Sequence, residues 1–348
     1  MSLLPKKYTD VQPLTPGKNA AVFKATNSFL DRSVFLKIYD VPENDPNSAL
    51  QEPQLIQSLS HENLVRIFSA DALRDNRLLL EMELIQGGSF QDLLDQAELK
   101  REWPGIHHVL DLAADIARGL SALQEQDLVH RDIKPANVMV RAGSDRNHAV
   151  VTDLGLVSAL DASGRAFSSR HARIYRPPEV WDGKGYSKAS DVYQVGIILY
   201  QLLGGTVPYQ KSDLDDDDLA RLTVDAKLFD LTDIGPHIDR QLRTLIGKCI
   251  CSEVERISSM PDLLSAIQSV KQSHLDWSFA QTPDGFSLTR TLGTRRYEVR
   301  VQSSGNKHLV TGTKTIGART PRRFFGDQTI NHLDLRRSQA FRALLKNT

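Results

Sequence analysis

Residues Leu128 to Val140 read LVHRDIKPANVMV, two apolar ends enclosing a polar loop in which His130, Arg131, Asp132, Lys134 and Asn137 crowd together. The apolar ends have the composition of buried supports, and the loop between them has the composition of a site. Pro135 stops a helix from running through and withholds a backbone donor, so side chains and neighbouring segments must hold the loop. Asp132 and Asn137 can then face one cavity. Thirteen residues beyond Val140, VTDLG sets Asp153 just behind the short apolar segment Ala149 to Val151 and ahead of the permissive Gly155. A carboxylate at a strand end beside such a loop completes an oxygen-ligand metal site.

The loop resembles the catalytic loop of protein kinases, H-R-D-x-K-x-x-N, and VTDLG resembles their metal-binding D-F-G with Leu154 in place of Phe. The resemblance implies an α+β, bilobal fold: a five-stranded sheet lobe with one helix, and a larger helical lobe. It also implies ATP and Mg2+ as cofactors and transfer of the γ-phosphate to protein hydroxyls, with autophosphorylation among the outcomes. In that scheme Asp132 accepts or orients the substrate hydroxyl, Lys134 steadies the transferring phosphate, and Asn137 and Asp153 bind the metal. Lys134, two residues after Asp132, is the serine/threonine-type choice of this family.

Towards the N-terminus, Tyr8 to Leu14, Val22 to Ala25 and Val34 to Tyr39 are β-prone runs separated by turns. The first turn, L-T-P-G-K-N-A-A-V, stands where the family carries L-G-x-G-x-x-G-x-V. Gly17 and Val22 match that pattern, and both are expected at the nucleotide. Thr15 and Ala20 replace the outer glycines and limit close approach to phosphates. In S-V-F-L-K-I-Y, alternation sets Phe35 and Lys37 on one face. A lysine directed into an apolar cleft needs anions, and nucleotide phosphates supply them. Glu52 precedes His61 by nine residues, the family spacing for the helix glutamate that orients this lysine. Pro53 places a helix start close to Glu52, so a first-turn, dipole-stabilising role is compatible with the other. Val65 to Ala70 and Leu78 to Leu84 are two further strands. Met82, Glu83, Leu84 and Ile85 then resemble the hinge, with backbone groups of Glu83 and Ile85 reading adenine and Met82 gating the pocket behind it.

Beyond the loop, a polar segment with Ser158, Ser163, Ser168 and Ser169 ends at Tyr175-Arg176-Pro177-Pro178-Glu179, similar to an activation segment closing on A-P-E. Arg131 offers a charge partner for phosphate at Ser168 or Ser169, and constitutive order is the alternative. Ala172 replaces the threonine expected three residues before the tyrosine. Asp191 opens an apolar helix running to Leu203, and Arg256 stands where the family pairs an arginine with Glu179. Val109, Leu112, Ala113, Ile116, Leu120 and Leu123 form one helical stripe. Asp213 and Asp215 to Asp218 form an acidic run that suits a solvated first turn, with a docking patch for basic substrates as the alternative.

Apolar residues at 40% and charged residues at 25% are ordinary for a folded soluble protein. MSLLPKKYTD lacks a signal-peptide core, and Val195 to Leu203 is too short to span a bilayer, which together suggest a cytoplasmic protein. Cys249 and Cys251 are too few and too close for a disulfide framework and are expected as packed thiols on a helix. From Gln281 onward thirteen Lys and Arg face four Asp and Glu, a net +9, against 30 and 39, or −9, before it.

The resemblance covers about residues 8–272. Lobes at 1–84 and 85–273 are therefore expected, followed by a separately folded basic accessory module at 274–348. Strand-like runs at Phe286 to Leu292, Tyr297 to Gln302 and His308 to Lys314 precede a terminal helix with Ala340, Phe341, Leu344 and Leu345 on one face. This β-plus-helix module suits docking in cis or an acidic protein partner better than nucleic acid, since no stacking platform is evident. A nucleotide-binding pseudokinase that signals through the module is the alternative to a serine/threonine protein kinase.

Overall fold

The computed structural model describes residues 4–14, 20–41, 59–73, 76–168, 173–207, 214–273, 276–305 and 307–330. β1 (Tyr8–Pro13), β2 (Ala21–Asn27), β3 (Arg32–Asp40), β4 (Ile67–Leu73) and β5 (Arg77–Glu83) form an antiparallel sheet in the order β1-β2-β3-β5-β4. The period of two in β3 decides its faces. Val34, Leu36 and Ile38 are buried on the outer face with Leu79, Ala25 and Tyr8, while Phe35 and Tyr39 pack towards the other lobe. β4 begins later than alternation suggests. Leu64 and Val65 instead join the large lobe, where the Val65 amide donates to the Val151 carbonyl at 2.9 Å.

The outer face also buries a carboxylate. Glu81 is 2% exposed, and it accepts hydrogen bonds from the Tyr8 hydroxyl at 2.8 Å, Asn27 Nδ2 at 2.9 Å and Arg32 Nη2 at 3.2 Å. Such pairing is what makes a buried charge tolerable.

In the large lobe, α1 (Phe90–Lys100) opens with a capping box between Ser89 and Asp92. α2 (Ile106–Gln124) buries the whole stripe from Val109 to Leu123. After the short α3 (Pro178–Trp181) comes α4 (Lys188–Leu202), buried from Ala189 onward, so the other helices pack around it. Asp191 lies in its first turn. α5 (Asp216–Val224) starts from Asp215, whose side chain accepts from the Asp218 amide, as a solvated acidic cap should. α6 (Arg240–Cys249) and α7 (Met260–Ser273) complete the lobe. Cys249 ends α6 and is buried, whereas Cys251 lies beyond the helix, so only one of the two thiols is helical. Among the described residues no helix is long and apolar enough to cross a membrane.

The C-terminal region is β-rich. β11 (Ser278–Thr282), β12 (Gly285–Leu292), β13 (Arg295–Ser304), β14 (Lys307–Ile316) and β15 (Arg322–Ile330) form an antiparallel meander. Gly293 and Gly305, at φ 58° and 57°, make its tight turns. Three of these strands, β12, β13 and β14, follow from alternation; β11 (SFAQT) and β15 (RRFFGDQTI) do not, and the register of β15 with β14 shifts around Gly312. Tyr297, Val299 and Val301 point into the small core, and Arg296 and Arg300 lie exposed on the opposite face of β13.

A sixth strand comes from the kinase-like part of the chain. β6 (Glu102–Trp103), between α1 and α2, pairs with β11 so that Trp103 faces Phe279. The Phe279 ring centroid lies 5.5 Å from that of Trp103 and 5.4 Å from that of His237, on which it stacks at 11°. The His107 amide donates to Asp276 Oδ1 at 2.9 Å and the Gln281 amide to the Arg101 carbonyl at 2.8 Å. The sheet of the C-terminal region thus continues across residue 274 to a strand of the large lobe. The expected terminal helix and its residues Ala340, Phe341, Leu344 and Leu345 lie outside the described residues.

Candidate active site

The polar loop runs between β7 (Leu128–Val129) and β8 (Val138–Arg141) and is carried by α4. Asp191 accepts hydrogen bonds from the backbone amides of His130 and Arg131, each at 2.9 Å. Gln194 accepts from the Ile133 amide at 2.9 Å and donates to the Arg131 carbonyl at 3.0 Å. These bonds hold Arg131 at φ 71°, a left-handed conformation that a bulky side chain rarely adopts unaided. Burial pushes the Asp191 carboxyl above its ordinary range, against the pull of His130 and Arg131.

Two of the expected site residues converge on the carboxylate of a third. Lys134 Nζ donates to Asp132 Oδ2 at 2.6 Å, and Asn137 Nδ2 donates to the same oxygen at 2.9 Å and to the Asp132 carbonyl at 2.8 Å. The Asn137 amide nitrogen is thus committed to Asp132, and its oxygen is the end suited to a cation. Asp153 follows β9 (His148–Val151) in a left-handed turn at φ 56°, which aspartate tolerates better than most residues. Leu154, which stands in place of the pattern's Phe, is buried in the main core. Thr152 ties this turn to the loop, its amide donating to the Asn137 carbonyl at 2.8 Å.

Lys37 closes the site from the small lobe, its Nζ donating to Asp153 Oδ1 at 2.6 Å. Burial pushes the Asp153 carboxyl up, but the Lys37 ammonium and the more distant Lys134 outweigh it and hold the group below the usual carboxylate range. It is ionised at neutral pH, as a metal ligand must be. Val22 lies directly across from Lys37 in the β2–β3 pairing and shares its face. Glu52, Gly17, Thr15 and Ala172 lie outside the described residues.

The hinge is stapled to β8. The Gly87 amide donates to the Val140 carbonyl at 3.0 Å and the Val140 amide to the Gly88 carbonyl at 2.8 Å. A Cβ at Gly87 would collide with the Val140 carbonyl oxygen, so this close approach requires glycine. Met82 and Ile85 are buried at its two sides. The Glu83 amide is used within the sheet, donating to the Arg66 carbonyl, and its carboxylate is held by Arg141 Nη2 at 2.8 Å. Arg141 carries no motif and is invisible in the sequence; Gln194, an amide within an apolar helix, is the kind of signal that could have been found.

The expected anchor at the end of the activation segment is present. Arg256 Nη1 and Nη2 donate to Glu179 Oε1 and Oε2 at 2.8 and 2.9 Å, and Ser190 Oγ donates to Oε1 at 2.6 Å.

The family model described as protein kinase domain matches residues 8–267. The chain belongs to the protein kinase family. Among curated relatives it is similar to serine/threonine-protein kinase PknL of Mycobacterium bovis, 31% identical over 216 residues, which are 60% of this chain and 52% of that protein. It is also similar to serine/threonine-protein kinase atg1 of Dictyostelium discoideum, 26% identical over 259 residues, 72% of this chain and 37% of that protein. Dual specificity testis-specific protein kinase 1 of Homo sapiens is 30% identical over 284 residues, 78% of this chain and 42% of that protein. The chain spans about half, or less, of the length of these curated relatives. The kinase-domain match ends within α7, so the β-meander lies beyond it.

Protein kinases in general use ATP and Mg2+, and the oxygen donors at Asp153 and Asn137 fit the cation. One ionised carboxylate and one amide oxygen suit a hard cation that keeps water and phosphate as its other ligands. Among the described residues no three His, Cys, Asp or Glu side chains form an all-protein cage, which that cation does not need.

Proposed function

We propose that the chain is a catalytically active serine/threonine protein kinase. The observation that carries this reading is the convergence of Lys134 and Asn137 on Asp132 at 2.6 and 2.9 Å, beside the Lys37–Asp153 contact at 2.6 Å. Phosphoryl transfer needs positioning and charge neutralisation more than covalent catalysis, and these residues supply both. Magnesium-bound ATP, when present, contributes the transferable phosphoryl group. Asp132 takes or orients the proton of a substrate serine or threonine hydroxyl, and Lys134 neutralises charge on the group in transit. Asn137 and Asp153 hold the metal through oxygen. Lys37 holds the α- and β-phosphates, with Glu52 as the residue that orients it. Gly17 and Val22 cover the nucleotide, Met82 borders its base, and the Glu83, Leu84 and Ile85 backbone reads the adenine edge.

A protein is the proposed substrate, and a cytoplasmic location goes with ATP as the phosphoryl donor. Docking of the basic tail in cis is favoured over an acidic protein partner, and both over nucleic acid, because β11 already pairs with β6. A binding-only pseudokinase is the second reading, motivated by the loss of two of the three pattern glycines around Gly17. Purified protein, labelled ATP, magnesium and a generic protein substrate separate the two. Transfer should be measurable and should fall roughly a thousandfold in Asp132→Ala. Nucleotide binding without any transfer above the Asp132→Ala background would select the pseudokinase.

A further inference from the structure

The connection between α6 and α7 grips the activation segment at two places. Arg256 holds Glu179 at the segment's far end. Three residues earlier, Glu253 holds Arg165, near its beginning: Arg165 Nη1 donates to Oε1 at 2.7 Å and Nη2 to Oε2 at 3.0 Å. The two side chains are 27% and 21% exposed, so this bidentate pair is half-buried and geometrically defined, unlike an isolated surface ion pair. Ser187 Oγ donates to Glu253 Oε1 at 2.6 Å, and Ser187 is the N-cap of α4, the helix whose Asp191 carries the catalytic loop. Glu253 thereby links the activation segment to the loop through a single helix turn. Burial raises the Glu253 carboxyl, but Arg165 and Ser187 outweigh it and keep the group ionised at neutral pH.

Arg165 is presented to Glu253 by a closed turn. Asp161 Oδ1 accepts from the Ser163 amide at 2.8 Å, Ser163 Oγ at 2.6 Å and the Arg165 amide at 3.0 Å. Directly afterwards Ala166 exchanges two backbone hydrogen bonds with Tyr186, at 2.9 and 2.7 Å. Arg131 then spans the folded-back segment, its guanidinium donating to the Leu156 carbonyl and, at 2.8 Å, to the Phe167 carbonyl. The residue that is a candidate phosphate partner in the sequence is 8% exposed and already occupied with main-chain carbonyls, which a phosphate would have to displace.

We infer that Arg165 and Glu253 are positioning residues that hold the activation segment in its substrate-accepting course without phosphate on the segment. This rests on the proposed kinase activity. In many switches a phosphate brings an arginine to the segment; here the Arg165–Glu253 pair and the Arg131–carbonyl bonds make equivalent tethers from the unmodified chain.

The test uses the full chain treated with phosphatase until intact mass shows no phosphate. It should phosphorylate a protein substrate without a lag and within about twofold of the untreated rate, as should Ser168→Ala/Ser169→Ala. Arg165→Ala and Glu253→Gln should each lower kcat/KM for the protein substrate by about tenfold while KM for ATP stays within about twofold. The double variant should be no worse than either single one, and Arg165→Lys should recover part of the loss. A lag, or loss of activity that rephosphorylation restores, overturns the inference, as do single variants with unchanged kcat/KM. If neither treated nor untreated protein transfers phosphate, the kinase reading fails first. Hydrogen exchange over residues 158–168 then decides the clamp: faster exchange in Arg165→Ala supports it, and unchanged exchange overturns it.

Discussion

Lys37 and Asp153 lie 116 positions apart in the chain and meet at 2.6 Å across the cleft between the lobes. One is on β3 of the small lobe, and the other is in the left-handed turn after β9 of the large lobe. Two opposite charges thus face each other where a triphosphate and its cation would come between them. This contact spans both lobes, so each partner's loss is expected to be felt in nucleotide binding as well as in transfer.

The two carboxylates of the site should be separable. Asp153→Asn should weaken magnesium-dependent nucleotide binding and abolish transfer. Asp132→Asn should keep nucleotide affinity within about threefold and lose transfer by roughly a thousandfold. Equilibrium binding of a fluorescent ATP analogue, with and without magnesium, read beside initial rates, checks this. Equal loss of binding in both variants would contradict the division of tasks.

Glu179 and Arg256 are 2% and 0% exposed at their side chains, and each is left as a stranded charge if the other is removed. Arg256→Met should therefore cost about 3–5 kcal/mol. Denaturant unfolding gives the number directly, and a cost under about 1 kcal/mol would show that water reaches Glu179.

The joint between the β-meander and the large lobe predicts that the tail contributes to stability. Phe279→Ala leaves Trp103 and His237 beside a cavity and should cost about 3 kcal/mol. A chain ending at Ser273 should melt lower than the full chain by about 5 °C or more, having lost the partner strand of β6. An unchanged melting temperature would mean that the joint is passive.

Acid should weaken the small lobe through Glu81. Burial alone would raise this carboxyl, but hydrogen bonds from Asn27, Tyr8 and Arg32 and the charge of Lys7 hold it below its ordinary value. Tyr8 is pushed up to about 12, first by burial and then by Glu81, so it remains a donor throughout. A depressed folded value adds stability that is fully present above the unfolded value near 4.5 and is lost as pH falls through the folded one. Urea unfolding of wild type and Glu81→Gln should differ most at neutral pH and converge below about pH 4. A gap that is independent of pH would contradict the assignment.

The local stretches were legible. H-R-D-I-K-P-A-N, D-L-G and the strand around Lys37 carry donors, acceptors and apolar supports at fixed short spacings, so their grouping follows from order along the chain, and the roles proposed for them come from the kinase pattern they match. Alternation placed Phe35 and Lys37 on one face of β3, and helical periodicity found the stripe of α2. Spacing also paired Glu179 with Arg256 across 77 positions, because both occupy fixed places in the kinase pattern.

By itself, then, the sequence determined the family, the order of the lobes and the residues grouped around Asp132. Only the tertiary structure decided how Glu81 is neutralised, that Arg141 holds Glu83, that Glu253 takes Arg165, and that Trp103 extends the tail sheet into the large lobe. Single charged residues far apart in the chain have no periodicity to reveal a partner. β6, at two residues, is shorter than one repeat of strand alternation. Its pairing with the edge of β11 sets Trp103 against Phe279, a fact of three-dimensional proximity that no local pattern encodes.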